Sequence, residues 1–366
     1  MNINQSLEIF DVVKVLVPAV LAFIIGILIT PFWTKFLYKK EMWKKSAKTV
    51  AVDGSSTPIF NQLHKDRETK TPRLGGVIIW VSASIVIVGL WIFGQIFSQS
   101  FFSKLDFLSR SQTWIPLFAL IVGAIVGLVD DILEIRGSLN YKAGGLSLKK
   151  RLLLVGLLGL FCGWWFYTKL DVSTIGIPFL GDVFVGWLLI PIFVIVVMAV
   201  YSGGVIDGLD GLSGGVFSII FSTYGIIAFS QNQINLAAFC AALVGSILAF
   251  LWFNIPPARF YMTETGSMAL TVTLAVVAFM TDSLGGGHGV LLLPIIALPL
   301  LITTASVILQ VLSKKIRGKK ILLVAPLHHH FEAIGWPAYK VTMRYWVVSI
   351  ITAGFGLILA FLGQIK

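Results

Sequence analysis

Ten stretches of roughly 20 apolar residues, bounded by charges or by Gly, Asn and Ser, take up most of this 366-residue chain. A helix rises about 1.5 Å per residue, so each stretch is long enough to cross about 30 Å of hydrocarbon. They lie near residues 12 to 37, 74 to 97, 113 to 133, 152 to 168, 184 to 201, 212 to 229, 236 to 253, 267 to 282, 289 to 312 and 345 to 364. Composition agrees: 57% of residues are hydrophobic and 12% charged, about half the charged fraction of a soluble domain. An ordinary water-soluble enzyme is excluded. The expectation is an all-α, polytopic membrane protein with ten transmembrane helices and one domain, residues 1–366, with no fixed-period repeat and no linker. Pro294 and Pro299 predict a kink or break in the ninth span, because each removes a backbone donor.

The formal charge of +11 has three usual readings: nucleic acid, anionic lipid or loop topology. Placement decides. Of the 28 Lys and Arg, 22 fall in the odd-numbered loops between spans, and only four in the even loops and the tails. By the positive-inside rule the odd loops are cytoplasmic and both termini face outward. The basic excess is then topology, and no nucleic-acid partner is expected. Cys162 and Cys240, the only cysteines, sit inside apolar runs and offer neither a disulfide framework nor a metal cluster. The first eleven residues carry no Lys or Arg, so the first apolar stretch reads as a retained span rather than a cleaved signal.

Six acids share one face. Asp130, Asp131, Asp207, Asp210, Glu264 and Glu332 all fall at or near the odd-loop face, and no span carries a carboxylate at its centre. Ion-coupled transporters keep theirs near the membrane midplane, so this pattern points to a site at the cytoplasmic surface.

Four segments there carry the residue types of phosphoryl chemistry. Asp130-Asp131 places two carboxylates at the end of an apolar helix, where something cationic must accompany them: a divalent metal, or Arg136 or Lys150 as simple neutralisers. Tyr201 to Gly215 packs six glycines around Asp207 and Asp210, suited to cradling phosphate with backbone N–H groups, or to a flexible turn with a capping Asp. Asn254 to Ser267 holds Tyr261, able to stack on a base or anchor the interface, and Glu264, a candidate metal ligand or a helix N-terminal acid. Pro326 to Glu332 contains His328, His329 and His330; consecutive imidazoles do not make the i, i+4 zinc arrangement but can contact phosphate or shuttle protons.

The ordered set of Thr71-Pro72-Arg73-Leu74-Gly75-Gly76, Asp130-Asp131, Asp207-Gly208-Leu209-Asp210-Gly211-Leu212, Leu251-Trp252-Phe253-Asn254 and Pro326-Leu327-His328-His329-His330-Phe331-Glu332 with Gly335-Trp336-Pro337 resembles one family. It is that of the phospho-N-acetylmuramoyl-pentapeptide transferases, within the polyprenyl-phosphate N-acetylhexosamine-1-phosphate transferases. The triple histidine followed by Phe-Glu resembles the muramoyl branch rather than its N-acetylglucosamine relatives.

The resemblance implies a multi-pass protein of the bacterial cytoplasmic (inner) membrane, frequent homodimers, and Mg²⁺-dependent transfer of phospho-MurNAc-pentapeptide from UDP-MurNAc-pentapeptide to undecaprenyl phosphate. The products are UMP and lipid I, for peptidoglycan synthesis. By position it implies catalytic roles for Asp130, Asp131, His328 and His329. Substrate contacts fall to Asp207, Gly208, Leu209, Asp210, Asn254, Tyr261 and His330, and the metal ligand is Glu264. The chain departs from the family pattern at Gly204, where Asn is usual, at Glu264, where Asp is usual, and at Glu68, near an expected Lys that Lys65 or Lys70 replaces. A polyprenyl-phosphate GlcNAc-1-phosphate transferase and, from another class, a lipid or solute transporter are the competing expectations.

Overall fold

The computed structural model describes residues 3–45, 69–98, 101–137 and 145–364. Glu68 and Lys65 lie outside the described residues, and Lys70 is exposed. Twelve labelled helices account for most of the rest: α1 (Ile3–Lys39), α2 (Val77–Ile96), α3 (Trp114–Arg136), α4 (Leu148–Lys169), α5 (Leu189–Ser202), α6 (Leu212–Ser230), α7 (Ile234–Asn254), α8 (Thr263–Met280), α9 (Gly289–Ile296), α10 (Leu298–Arg317), α11 (Leu327–Ala333) and α12 (Ala338–Gln364). Among the described residues ten helices are long and apolar enough to cross a membrane, all but α9 and α11 of this set. The protein is a multi-pass membrane protein. The ninth span is divided as its prolines predict: α9 contains Pro294 and stops at Ala297, and α10 begins with Pro299 in its first turn.

Several helices run further into charged sequence than apolar windows suggest. α12 starts at Ala338 rather than near 345 because Lys340 and Arg344 fold their cations over the Trp336 ring, 5.7 and 4.0 Å from its centre. α3 continues past the Asp pair to Arg136 and ends on Gly137 in the left-handed conformation.

α8 is the axis of the molecule. Every residue from Thr265 to Met280 is buried, and α2, α3, α5 and α6 pack around it. Its small side chains, Gly266, Ser267, Ala269 and Ala275 among them, let neighbouring backbones approach closely. α1, in contrast, shows Leu16, Val20, Leu28 and Phe32 on its outer face, the side chains of a helix that meets lipid.

The all-α expectation holds, with one short element of strand beside the helices. A two-stranded antiparallel hairpin, β1 (Thr174–Ile177) and β2 (Gly181–Phe184), joins α4 to α5 with Thr174 opposite Phe184. It lies at the opposite end of the bundle from the Asp pair, since α4 and α5 have their other ends at Arg151 and Ser202. Four-residue strands without clear alternation carry little signal in sequence.

Candidate active site

The end of the bundle defined by the last turn of α3, the first turns of α4 and α8, the glycine loop before α6, and α11 gathers most of the buried charge among the described residues. Asp131 is fully buried and acts as the cap of another helix. It accepts the backbone N–H groups of Thr265 at 2.8 Å and Glu264 at 3.3 Å, and the Thr263 hydroxyl at 2.6 Å. Those N–H groups belong to the first turn of α8, where no intrahelical acceptor exists and the helix dipole favours negative charge. Asp207, on the glycine loop, caps the same turn: its Oδ2 accepts Thr263 N–H at 2.8 Å, while the Ser213 hydroxyl donates to Oδ1 at 2.6 Å. Burial pushes the Asp207 carboxyl above the usual carboxylate range, and the bonds from Ser213 and Thr263 offset only part of that.

Between these two acids Thr263 adopts φ of +58°, an outlier for a β-branched residue. Its surroundings over-determine it, because Leu74 N–H also donates to its hydroxyl at 3.3 Å. The loop that carries Leu74 is strapped to the segment before α8 by Gly75 N–H to Tyr261 O, Gly76 N–H to Met262 O and Tyr261 N–H to Pro72 O.

Of the cations that accompany the Asp pair, neither is Arg136 or Lys150, the simple neutralisers weighed from the sequence; Arg73 and Arg151 take that place. Arg73 pairs with Asp131 at 3.2 Å and with Glu134, which also holds Lys44 at 2.9 Å. Burial alone would favour neutral Arg73, but Glu134 and Asp131 outweigh it and hold the guanidinium charged. Arg151 bridges Asp130 at 2.9 Å and Glu264 at 2.7 Å, while Leu146 N–H donates to Asp130. Arg136 is one turn too late on α3 to reach back; Arg73 and Arg151 arrive from separate elements.

The histidines close the other side. Gly208 lies directly against the His328 and His329 rings, so closely that any side chain there would collide with His328 Nε2. The two rings meet edge to face with centres 4.3 Å apart, both largely buried. Glu332, one turn along α11, holds His329 Nδ1 at 2.7 Å and so fixes that ring's orientation. A continuous chain of contacts therefore runs from Arg73 through Asp131, Thr263 and Asp207 to Gly208 and the two imidazoles.

A family profile described as glycosyl transferase family 4 matches residues 113–282, the stretch that holds Asp130, Asp131, Asp207 and Glu264. The phospho-N-acetylmuramoyl-pentapeptide-transferase of Levilactobacillus brevis is 36% identical over 295 residues, covering 79% of this chain and 84% of its own length. The chain belongs to the phospho-N-acetylmuramoyl-pentapeptide-transferase family. Relatives of the same name extend the similarity nearly end to end. That of Anoxybacillus flavithermus is 32% identical over 355 residues, 94% of this chain and 97% of its own. That of Chloroflexus aurantiacus is 28% identical over 374 residues, 98% and 93%.

Other residues singled out in this family member's sequence make contacts that shape the loops around the site. Asn254, at the end of α7, accepts Gly211 N–H at 2.9 Å and donates to Phe260 O at 2.8 Å, tying the glycine loop to the segment before α8. Asp210 accepts Ala258 N–H at 3.2 Å, and Leu209 is buried beside it. His330 Nδ1 accepts Leu323 N–H at 3.3 Å. Tyr261 is half-buried on the strapped segment, and Gly204 lies against Ser267.

The donor set suits a hard divalent cation in chemistry: five carboxyl groups (Asp130, Asp131, Glu134, Asp207, Glu264) meet three cations (Lys44, Arg73, Arg151), and all are oxygen donors. Among the described residues no three acidic, histidine or cysteine side chains are gathered as a ready cage. Arg151 stands between the two carboxylates best placed to begin one.

Proposed function

We propose that the protein transfers phospho-MurNAc-pentapeptide from UDP-MurNAc-pentapeptide to undecaprenyl phosphate, releasing UMP and forming lipid I. The observation that carries this reading is the contact chain that joins Asp131 and Asp207 to Gly208, His328 and His329 at one end of the bundle. It puts anion-binding and acid–base groups beside helices that meet lipid, as a reaction between a soluble nucleotide and an oily phosphate requires. The relatives' name, phospho-N-acetylmuramoyl-pentapeptide-transferase, supports the choice of transferred group.

In this proposal an oxygen of the lipid phosphate attacks the donor phosphorus that bears the sugar. The bond to the UMP oxygen breaks, and UMP leaves. Asp130, positioned by Arg151, faces the acceptor phosphate and takes its proton. His328 and His329 meet the donor phosphates across Gly208, with Glu332 fixing His329. Gly208, Leu209 and Asp210 border the uridine, Tyr261 stacks on it, and Asn254 keeps the loop in shape. Mg²⁺ is part of the proposal: Glu264 would hold it, and it would supply positive charge to the pyrophosphate. The same reading places the site at the cytoplasmic face of a bacterial inner membrane, with both termini outside and the protein active as a homodimer.

The test is UMP release by purified protein given Mg²⁺, undecaprenyl phosphate and either UDP-MurNAc-pentapeptide or UDP-GlcNAc. Release with the first donor supports the proposal. Release with UDP-GlcNAc alone assigns the chain to the N-acetylglucosamine branch and refutes it.

A further inference from the structure

The hairpin between α4 and α5 takes no part in the transfer site, and its two strands differ sharply in surroundings. β1 is fastened to the body of the protein: Gly176 N–H donates to Asp282 Oδ1 at 2.7 Å, in the turn that follows α8. The base of the hairpin is closed by Val185 and Gly186 N–H, both donating to Ser173 O. β2 has every residue exposed. What it exposes is apolar: Phe179 is 68% accessible, Leu180 80%, Phe184 76% and Trp187 66%. Phe179 and Leu180 form the turn, and Phe184 and Trp187 stand at the closed base; large apolar side chains exposed along one small element mark a binding surface.

Lipid is the occupant that fits, because the surface continues into flanks that already meet lipid. α4 exposes Leu157, Leu160 and Trp164 on the approach to the hairpin, and α5 exposes Ile195 after it. Trp187 opens the fifth span, and indole is the side chain most at home between headgroups and acyl chains. Backbone chemistry then sets the depth. With β1 fastened to Asp282, the outer edge of β2 remains an open sheet edge, which hydrocarbon does not tolerate but the wetter headgroup zone does. Asp182, exposed between Gly181 and Val183, is likewise excluded from the acyl region.

We propose that this hairpin is an interfacial membrane anchor, with Phe179, Leu180 and Phe184 seated at the headgroup–acyl boundary of the leaflet opposite the candidate active site. Through the bond from Gly176 to Asp282 it ties the outer end of α8, the central helix, to that leaflet. The inference needs only that the ten spans cross a bilayer and stands apart from the proposed reaction.

Spin labelling tests it directly. Cys162 and Cys240 are both 0% exposed and stay silent to a thiol label. Nitroxides are placed at Leu180→Cys, Phe184→Cys, Lys320→Cys as an exposed loop reference at the other end of the bundle and, as a lipid-facing reference, Ile195→Cys, in liposomes of phosphatidylethanolamine and phosphatidylglycerol. Collision with oxygen, which concentrates in lipid, is compared with collision with a water-soluble nickel chelate. Labels at 180 and 184 are expected to show an oxygen-to-nickel ratio several-fold above that at 320 and approaching that at 195. A ratio no higher than at 320 overturns the proposal, as does shielding from both reagents, the outcome if a second copy or another protein covers the hairpin.

Discussion

Gly127 lies in α3 one turn before the Asp pair, where that helix touches the first turn of α8. A Cβ built there would sit 2.5 Å from the Glu264 carbonyl carbon and 2.7 Å from Thr265 Cα, both backbone atoms that have no rotamer to give way. Carbons rest at about 3.5 Å or more, so Gly127→Ala forces the two helices apart by about 1 Å. The bond from Thr265 N–H to Asp131, now 2.8 Å, would stretch to about 3.8 Å and cease to be one. Overpacking costs about 1–3 kcal/mol, and a lost bond to a buried carboxylate about 1.5–3 kcal/mol more. A 1 Å displacement near reacting groups costs about 100-fold in rate. The expected result is a marked fall in thermal stability in detergent together with roughly 100-fold slower UMP release. Gly89→Ala, in α2 with nothing within 4 Å of its Cβ position, is the control. It should be neutral or stabilising by up to about 1 kcal/mol, because alanine favours helix. If Gly127→Ala behaves like the control, close approach of α3 and α8 does not position the Asp pair, and the reasoning fails.

Three further outcomes follow from the charge network. Arg73→Ala strands Asp131 in the interior without its cation and should lower stability by about 3–5 kcal/mol in thermal unfolding; adding Asp131→Asn should recover part of the loss, and strict additivity would contradict the pairing. Arg151→Gln removes the cation between Asp130 and Glu264, so Mn²⁺ affinity measured by electron paramagnetic resonance should rise; unchanged affinity would mean that the guanidinium does not compete for those carboxylates. Asp282, at the outer end of α8, is pushed by burial up to about 6 despite the N–H groups of Gly176, Val290 and Ser283. A folded-state value above the unfolded one favours the protonated form in the native protein. Stability relative to a non-titrating Asp282→Asn variant should therefore be highest near pH 4 and fall by about 3 kcal/mol as pH rises to about 6. A difference that is flat or grows over that window would refute the assignment.

The spans were legible in the sequence because each is a long apolar run, and the division of the ninth was announced by Pro294 and Pro299. Their ends were less so. Lys340 and Arg344 look like loop residues until Trp336 is seen beneath them, and no apolar window could place the hairpin at 174–184. In the site, the chemistry-bearing types were visible but their roles in the fold were not. Asp131 and Asp207 share Thr263, a contact spanning 132 residues of sequence to one acid and 56 to the other. Arg73 reaches Asp131 across 58 residues, while Arg136, near in sequence, does not. Proximity along the chain is a poor guide to which charges meet in a bundle. The one local pair, His329 with Glu332 three residues on, follows ordinary helical spacing and was available from the sequence.

The central claim is that one end of this bundle carries out the transfer at the cytoplasmic face. The most direct measurement uses sealed vesicles of both orientations, with undecaprenyl phosphate in the bilayer and UDP-MurNAc-pentapeptide and Mg²⁺ added only outside. Vesicles that present the odd-numbered loops outward should release UMP and form lipid I in equal amounts, and vesicles of the opposite orientation should do neither. Equal activity in both orientations, or none in either, would contradict the account.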